Sequence, residues 1–74
     1  MGVTYRKLFH KLIEEEMTPK QLADQAGISL NIMTRIRRNE YISLESVEKI
    51  TRILQCDIGD ILEFTQAGKE DGNG

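Results

Sequence analysis

With a single cysteine, Cys56, the chain has no internal disulfide to form, and no Cys/His grouping has the spacing of a metal site. No run of about 18 or more apolar residues is present, and the N-terminus has no signal-peptide pattern, so the expected setting is cytoplasmic, with no membrane partner. Catalytic signatures are missing as well. There is no nucleophile elbow, no phosphate-cradling glycine loop and no zinc motif. Glu14, Glu15 and Glu16 are consecutive, so on a helix they point in different directions and form no acid/base pair. His10 is the only histidine and has no companion suggesting a relay or a metal. A chain of 74 residues makes one small domain with little volume for a ligand cavity, so neither an enzyme, a cofactor nor a small-molecule ligand is expected. A core of this size supplies about 3–5 kcal/mol, which makes self-association a natural supplement.

Proline is nearly absent too, and the one present marks the most informative stretch, TPKQLADQAGISLNIMTRIRRN (Thr18–Asn39). Thr18 caps a helix that opens on Pro19, where a missing N–H costs nothing. Leu22, Ala23 and Ala26 recur on one side, and Gly27 follows where a helix end wants positive φ. Ile28 fills the turn and Ser29 caps a second helix with Ile32, Met33 and Ile36 inward. Its outer face keeps Asn31, Thr34, Arg35, Arg37 and Arg38, with no carboxylate between Ser29 and Asn39. Two short helices at a steep angle, the second polar and cationic, form the construction that lays a helix in the major groove of DNA.

Net charge is −2 and the pI near 5.3, opposite in sign to most nucleic-acid binders. The acidity is unevenly placed. Residues 1–56 carry nine Lys/Arg against seven Asp/Glu, and residues 57–74 one against five. Binding should therefore depend on a local patch.

Around this pair the periodicity predicts three more helices. Tyr5, Leu8, Phe9, Leu12 and Ile13 form the stripe of a first helix, Thr4–Glu16, capped by Thr4 and ending at its glutamates. The helices of the pair run Pro19–Ala26 and Leu30–Arg38, followed by a loop, Asn39–Ile42. Ser43 caps a fourth helix to about Gln55, with Leu44, Val47, Ile50, Ile53 and Leu54 inward. Asp57 caps a short fifth, Ile58–Phe64, with Asp60 near its positive end. No strand is predicted. Residues 1–65 form the domain, and Gln66–Gly74 (QAGKEDGNG), with nothing to bury, form a disordered tail. Met17 and Met33 read as packing residues, and Cys56 as a small hydrophobe rather than a redox sensor.

With five helices laid out, Tyr5–Phe64 resembles the Xre/Cro phage-repressor type of helix-turn-helix domain. The resemblance is carried by LADQAGIS (Leu22–Ser29), MTRIRRN (Met33–Asn39), SLESVEKITRILQC (Ser43–Cys56) and CDIGDILEF (Cys56–Phe64). It implies an all-α, five-helix fold of the lambda-repressor-like type and sequence-specific binding of a duplex DNA operator in transcriptional regulation. By position it implies base-edge contacts at Ser29, Leu30, Asn31, Thr34 and Arg35, and phosphate contacts at Thr18, Lys20, Arg38, Asn39 and Tyr41. The chain departs from the pattern at Pro19, where Gln is common, and at Leu30, where a polar reader is common.

Leu30 suits a thymine methyl, and Arg35 suits guanine O6 and N7. Asn31 suits adenine or is simply a polar first-turn residue. Arg37 either contacts nucleic acid or pairs with a nearby acid, and Tyr41 either bonds a phosphate or closes the loop over the core. One module makes few contacts, so a homodimer on a two-fold operator is expected, through helix five around Ile58, Ile61 and Phe64. The other class open to the chain is a protein-interaction module, antitoxin-like or an accessory adaptor, that keeps the fold without strong DNA binding.

Overall fold

A computed structural model describes residues 2–65; the expected tail, 66–74, lies outside them. The element order is β1 (Gly2–Thr4), α1 (Arg6–Glu14), α2 (Pro19–Ala26), α3 (Leu30–Arg37), α4 (Leu44–Leu54), a single 3₁₀ turn (Ile58–Asp60) and β2 (Glu63–Thr65). The helical pattern is borne out for four helices, not five.

Three helices start where their own sequence caps them. Thr18 Oγ1 accepts the Gln21 N–H and the Gln21 side chain accepts the Thr18 N–H, closing a reciprocal box ahead of Pro19. Ser29 and Ser43 accept from Ile32 and Ser46 in the same way. All four helices end alike, on a left-handed residue followed by a 6→1 bond back into the last turn. Gly27 (φ 74°) ends α2, with Ile28 N–H bonded to the Ala23 carbonyl. Glu16 (φ 56°), Asn39 (φ 58°) and Gln55 (φ 54°) do the same for α1, α3 and α4.

α1 starts differently. It is shorter than expected and begins after Tyr5, whose side chain makes no cap. Thr4 Oγ1 does accept the Arg6 N–H, at 3.4 Å, but Thr4 itself lies in a strand. The remaining free N–H groups at this end find distant partners. Tyr5 N–H donates to Asn39 Oδ1 (3.2 Å) and Leu8 N–H to the Ile61 carbonyl (3.1 Å).

The predicted fifth helix is replaced by one 3₁₀ turn and a strand, and the expectation of no strand is corrected with it. β1 and β2 pair antiparallel, Gly2 opposite Thr65, Val3 opposite Phe64 and Thr4 opposite Glu63. A helix of seven residues with Gly59 in its first turn has little stability of its own. The ladder to β1 and the bond from Leu8 to the Ile61 carbonyl win instead. Asp57 stands at the head of the turn, where its N–H donates to the Asp60 carboxylate (3.0 Å).

The core collects Val3, Tyr5, Leu8 and Leu12 with Leu22, Ala23, Met33, Ile36, Val47, Ile50, Leu54 and Ile61. Ile61 is 0% exposed, so it belongs to the core and cannot line a dimer surface as expected; Ile58 and Phe64 remain exposed. Ile13 (75% exposed) and Leu44 (76%) likewise lie outside the core stripes assigned to them, because each stands in a terminal turn where the neighbouring helices no longer cover it.

Candidate nucleic-acid interface

α2 packs against both α3 and α4, which holds it in place beneath α3. Met33 and Ile36 bury completely and Ile32 half-buries, so α3 is anchored by one face. Its other face, Leu30, Asn31, Thr34, Arg35 and Arg37, is exposed, and Ser29 is exposed ahead of it. Of the expected phosphate contacts, Thr18 and Lys20 stand exposed at the start of α2, and Arg38, Asn39 and Tyr41 stand exposed after α3. Arg35 and Tyr41 share one shallow cleft of about 240 Å³, lined also by Ile32, Ile42 and Ser46.

Several of these side chains are already engaged. The Thr18 hydroxyl accepts at the cap, so its proton is the part left to offer. Thr34 Oγ1 donates to the Leu30 carbonyl at 3.1 Å, one turn back. Asn39 gives its oxygen to Tyr5 N–H and keeps its two amide hydrogens. Beside it, the Tyr5 hydroxyl donates to the Glu40 carbonyl at 2.6 Å. Burial pushes the Tyr5 phenol above its ordinary range and the nearby Tyr41 adds to this, so at neutral pH it remains a donor. The sequence placed Tyr5 in the core but missed this latch, because a partner 34 or 35 residues away leaves no local signal.

The cations divide into two populations. In α1 and α4, Arg6 and Lys7 both reach Glu63 (3.1 and 3.4 Å), Lys49 reaches Glu45 (4.0 Å) and Arg52 reaches Glu48 (2.9 Å). Among the described residues, Lys20, Arg35 and Arg37 have no carboxylate oxygen within 4.0 Å. Arg38 has a loose contact to Glu40 at 3.8 Å. An acid partner for Arg37 is therefore not found; its neighbour Arg38 has one instead. Three of the four cations flanking α3 or carried by it are free to meet an anion.

The rest of the surface has less chemistry to offer. Among the described residues, no three His, Cys, Asp or Glu side chains stand close enough to hold a metal, and no helix is long and apolar enough to cross a membrane. Cys56 is half-buried; burial raises its thiol pKa, with Lys11 opposing and Asp60 and Asp57 adding to the rise, so it stays protonated. Val3, Tyr5, Tyr41, Leu44, Ile58 and Phe64 line an apolar groove of about 100 Å³ between the ribbon and the start of α4.

The model of the Cro/C1-type HTH DNA-binding domain matches residues 7–67. The structure is similar to the crystal structure of the transcriptional regulator VanUg, with a TM-score of 0.84 and 34% identity over 86% of this chain and 85% of that one. No curated protein matches the chain.

Proposed function

Because this chain belongs to the family of Cro/C1-type helix-turn-helix DNA-binding domains, we propose that it regulates transcription by laying α3 in the major groove of a specific duplex operator. The observation that carries this is the division of the cations: among the described residues, Lys20, Arg35 and Arg37 have no carboxylate partner beside α3, while the cations of α1 and α4, Lys11 excepted, are held by carboxylates. In this scheme Ser29, Leu30, Asn31, Thr34 and Arg35 face base edges. Thr18, Lys20, Arg38, Asn39 and Tyr41 face phosphates, Thr18 with its hydroxyl proton and Asn39 with its amide hydrogens. The protein acts by binding rather than by catalysis, in the cytoplasm.

An eight-residue recognition helix covers too few base pairs to be selective alone, so two copies bind a two-fold operator. The second copy seats on the groove rimmed by Leu44, Ile58 and Phe64, three of the six large hydrophobic side chains exposed among the described residues. Sedimentation should show dimers in the presence of operator; monomers alone at high concentration, with and without DNA, would remove the dimer.

The test of DNA binding is a titration of random duplex at low and moderate salt, followed by selection of an operator from a random pool. Affinity that falls steeply with salt, and a pool that converges on one motif, are the expected results. Absence of binding at low salt would leave the apolar groove as the working surface, and an interaction module without DNA binding would then replace this function.

A further inference from the structure

We propose that Leu30 and Thr34 form a single apolar row on α3 that reads the C5-methyl groups of thymine, so that each half-site holds thymine where this row meets the bases. The proposal rests on the placement of α3 in the major groove and names what two of its readers recognise.

Leu30 is the first residue of α3 and is 58% exposed. The core does not require it, since Met33 and Ile36 fill the inward face and Ile32 the margin. Thr34 stands four residues on, so the two side chains lie one above the other on the same outer face. Threonine ordinarily offers a base either a donor or an acceptor. Here its single proton is given to the Leu30 carbonyl, within the helix. What remains for a ligand is a methyl group and an oxygen lone pair. The Leu30–Thr34 row therefore has no hydrogen-bond donor.

That absence selects among bases. Every base puts a polar edge into the major groove, the O4 acceptor of thymine included, but only thymine adds an apolar C5-methyl group for Leu30 and the Thr34 methyl to cover. Guanine offers this row only acceptors, and the amino donors of adenine and cytosine find only the one Thr34 lone pair. The neighbouring row, Asn31 and Arg35, has the opposite character. Asn31 carries an amide and Arg35 a guanidinium with no carboxylate partner among the described residues, which suit adenine and guanine. α3 thus sets an apolar row beside a donor row, and the operator should set thymine beside purines.

The experiment uses the whole chain and a duplex selected from a random pool. Each thymine is replaced in turn by deoxyuridine, which removes the methyl group and leaves base pairing intact. Affinity should fall roughly fourfold for each methyl that the row covers, at one or two positions per half-site. Leu30→Ala should bind the thymine and uridine duplexes equally at its position. Thr34→Val, which keeps a branched methyl group, should retain the thymine preference, and Thr34→Ser should lose it. Both residues are exposed, and circular dichroism of the variants checks that they fold. Equal binding of uridine and thymine duplexes by the wild-type chain would overturn the proposal while leaving DNA binding intact, as would discrimination that survives at every position in both Leu30→Ala and Thr34→Ser. Failure to bind any duplex would overturn the DNA-binding function and this proposal with it.

Discussion

α2 and α3 start on hydroxyls that stand one residue ahead of them, whereas α1 starts on groups delivered from the far parts of the chain. Thr18 and Ser29 complete their helices within three residues. Tyr5 and Leu8, at the start of α1, rely on Asn39 and on the Ile61 carbonyl. The charges divide on a related line, although α4 too starts on its own Ser43 hydroxyl: among the described residues they are largely paired around the ribbon and α4 and mostly unpaired around α3. The difference shows how a small domain separates its tasks. A helix pair that closes its own ends by local bonds needs no neighbour on its outer face, which is left for a ligand. The ribbon half uses its polar groups to join the two chain ends, and what it contributes is stability.

The largest test of this contrast is Ile61→Ala. Ile61 is fully buried and sits where the 3₁₀ turn meets α1, so truncation should cost about 2–5 kcal/mol. Ile58→Ala, three residues earlier and half exposed, should cost under about 1 kcal/mol. Urea unfolding reads both, and equal losses would show that the turn is packed as a unit.

On the other half, Arg35→Ala should weaken binding to the selected operator by about 1–3 kcal/mol and blur its sequence preference. Arg38→Ala should weaken all duplexes alike and reduce the salt slope by about one. Neither should move the unfolding midpoint, because both side chains are exposed. If both variants bound operator and scrambled duplex as the wild type does, these two arginines would have no role in binding.

Tyr5→Phe probes the seam between the halves. Loss of the bond to the Glu40 carbonyl should cost about 1 kcal/mol at neutral pH. The phenol pKa is raised by folding, so the folded state keeps a proton that the unfolded chain begins to lose near pH 10.0. The stability that this contributes is complete below that pH and is lost as the pH rises through the folded value. Wild-type stability should therefore fall more steeply with alkali than that of Tyr5→Phe; parallel curves from about pH 8 to pH 11 would remove this role for Tyr5.

The smallest effects compare helix ends. Gly27→Ala should cost about 1 kcal/mol, since alanine resists φ 74° although there is open space around it. Gln55→Gly should stabilise by about 0.5 kcal/mol, relieved left-handed strain outweighing the added freedom of the unfolded chain. Thermal midpoints of the two variants should move in opposite directions.

Where a signal lies within one or two helical turns, it was legible in the sequence. The caps at Thr18, Ser29 and Ser43, the Gly27 turn and the inward stripe of Met33 and Ile36 are all of this kind. So is the exposed row from Ser29 to Arg35. Legibility failed at chain ends and helix ends. GVT and EFT are too short to show a two-residue period, so the ribbon left no pattern. Glu16 and Gln55 have no intrinsic preference for positive φ and hold it because the chain must turn there to reach the next element. Ile13 and Leu44 fit their stripes by spacing but stay largely exposed.

By itself, then, the sequence determined four of the helical segments, where three of them begin, which face of α3 is buried and which cations lie on the other. Those properties depend on capping and periodicity, which act over a few residues and need no partner. Only the tertiary structure decided that the segment after Asp57 becomes one turn and a strand, that Ile61 is core, and that Asn39 and Tyr5 tie the end of α3 to the start of α1. A short segment has too little helical stability to resist competing contacts. Its conformation is set by whichever distant backbone and buried surface it can join.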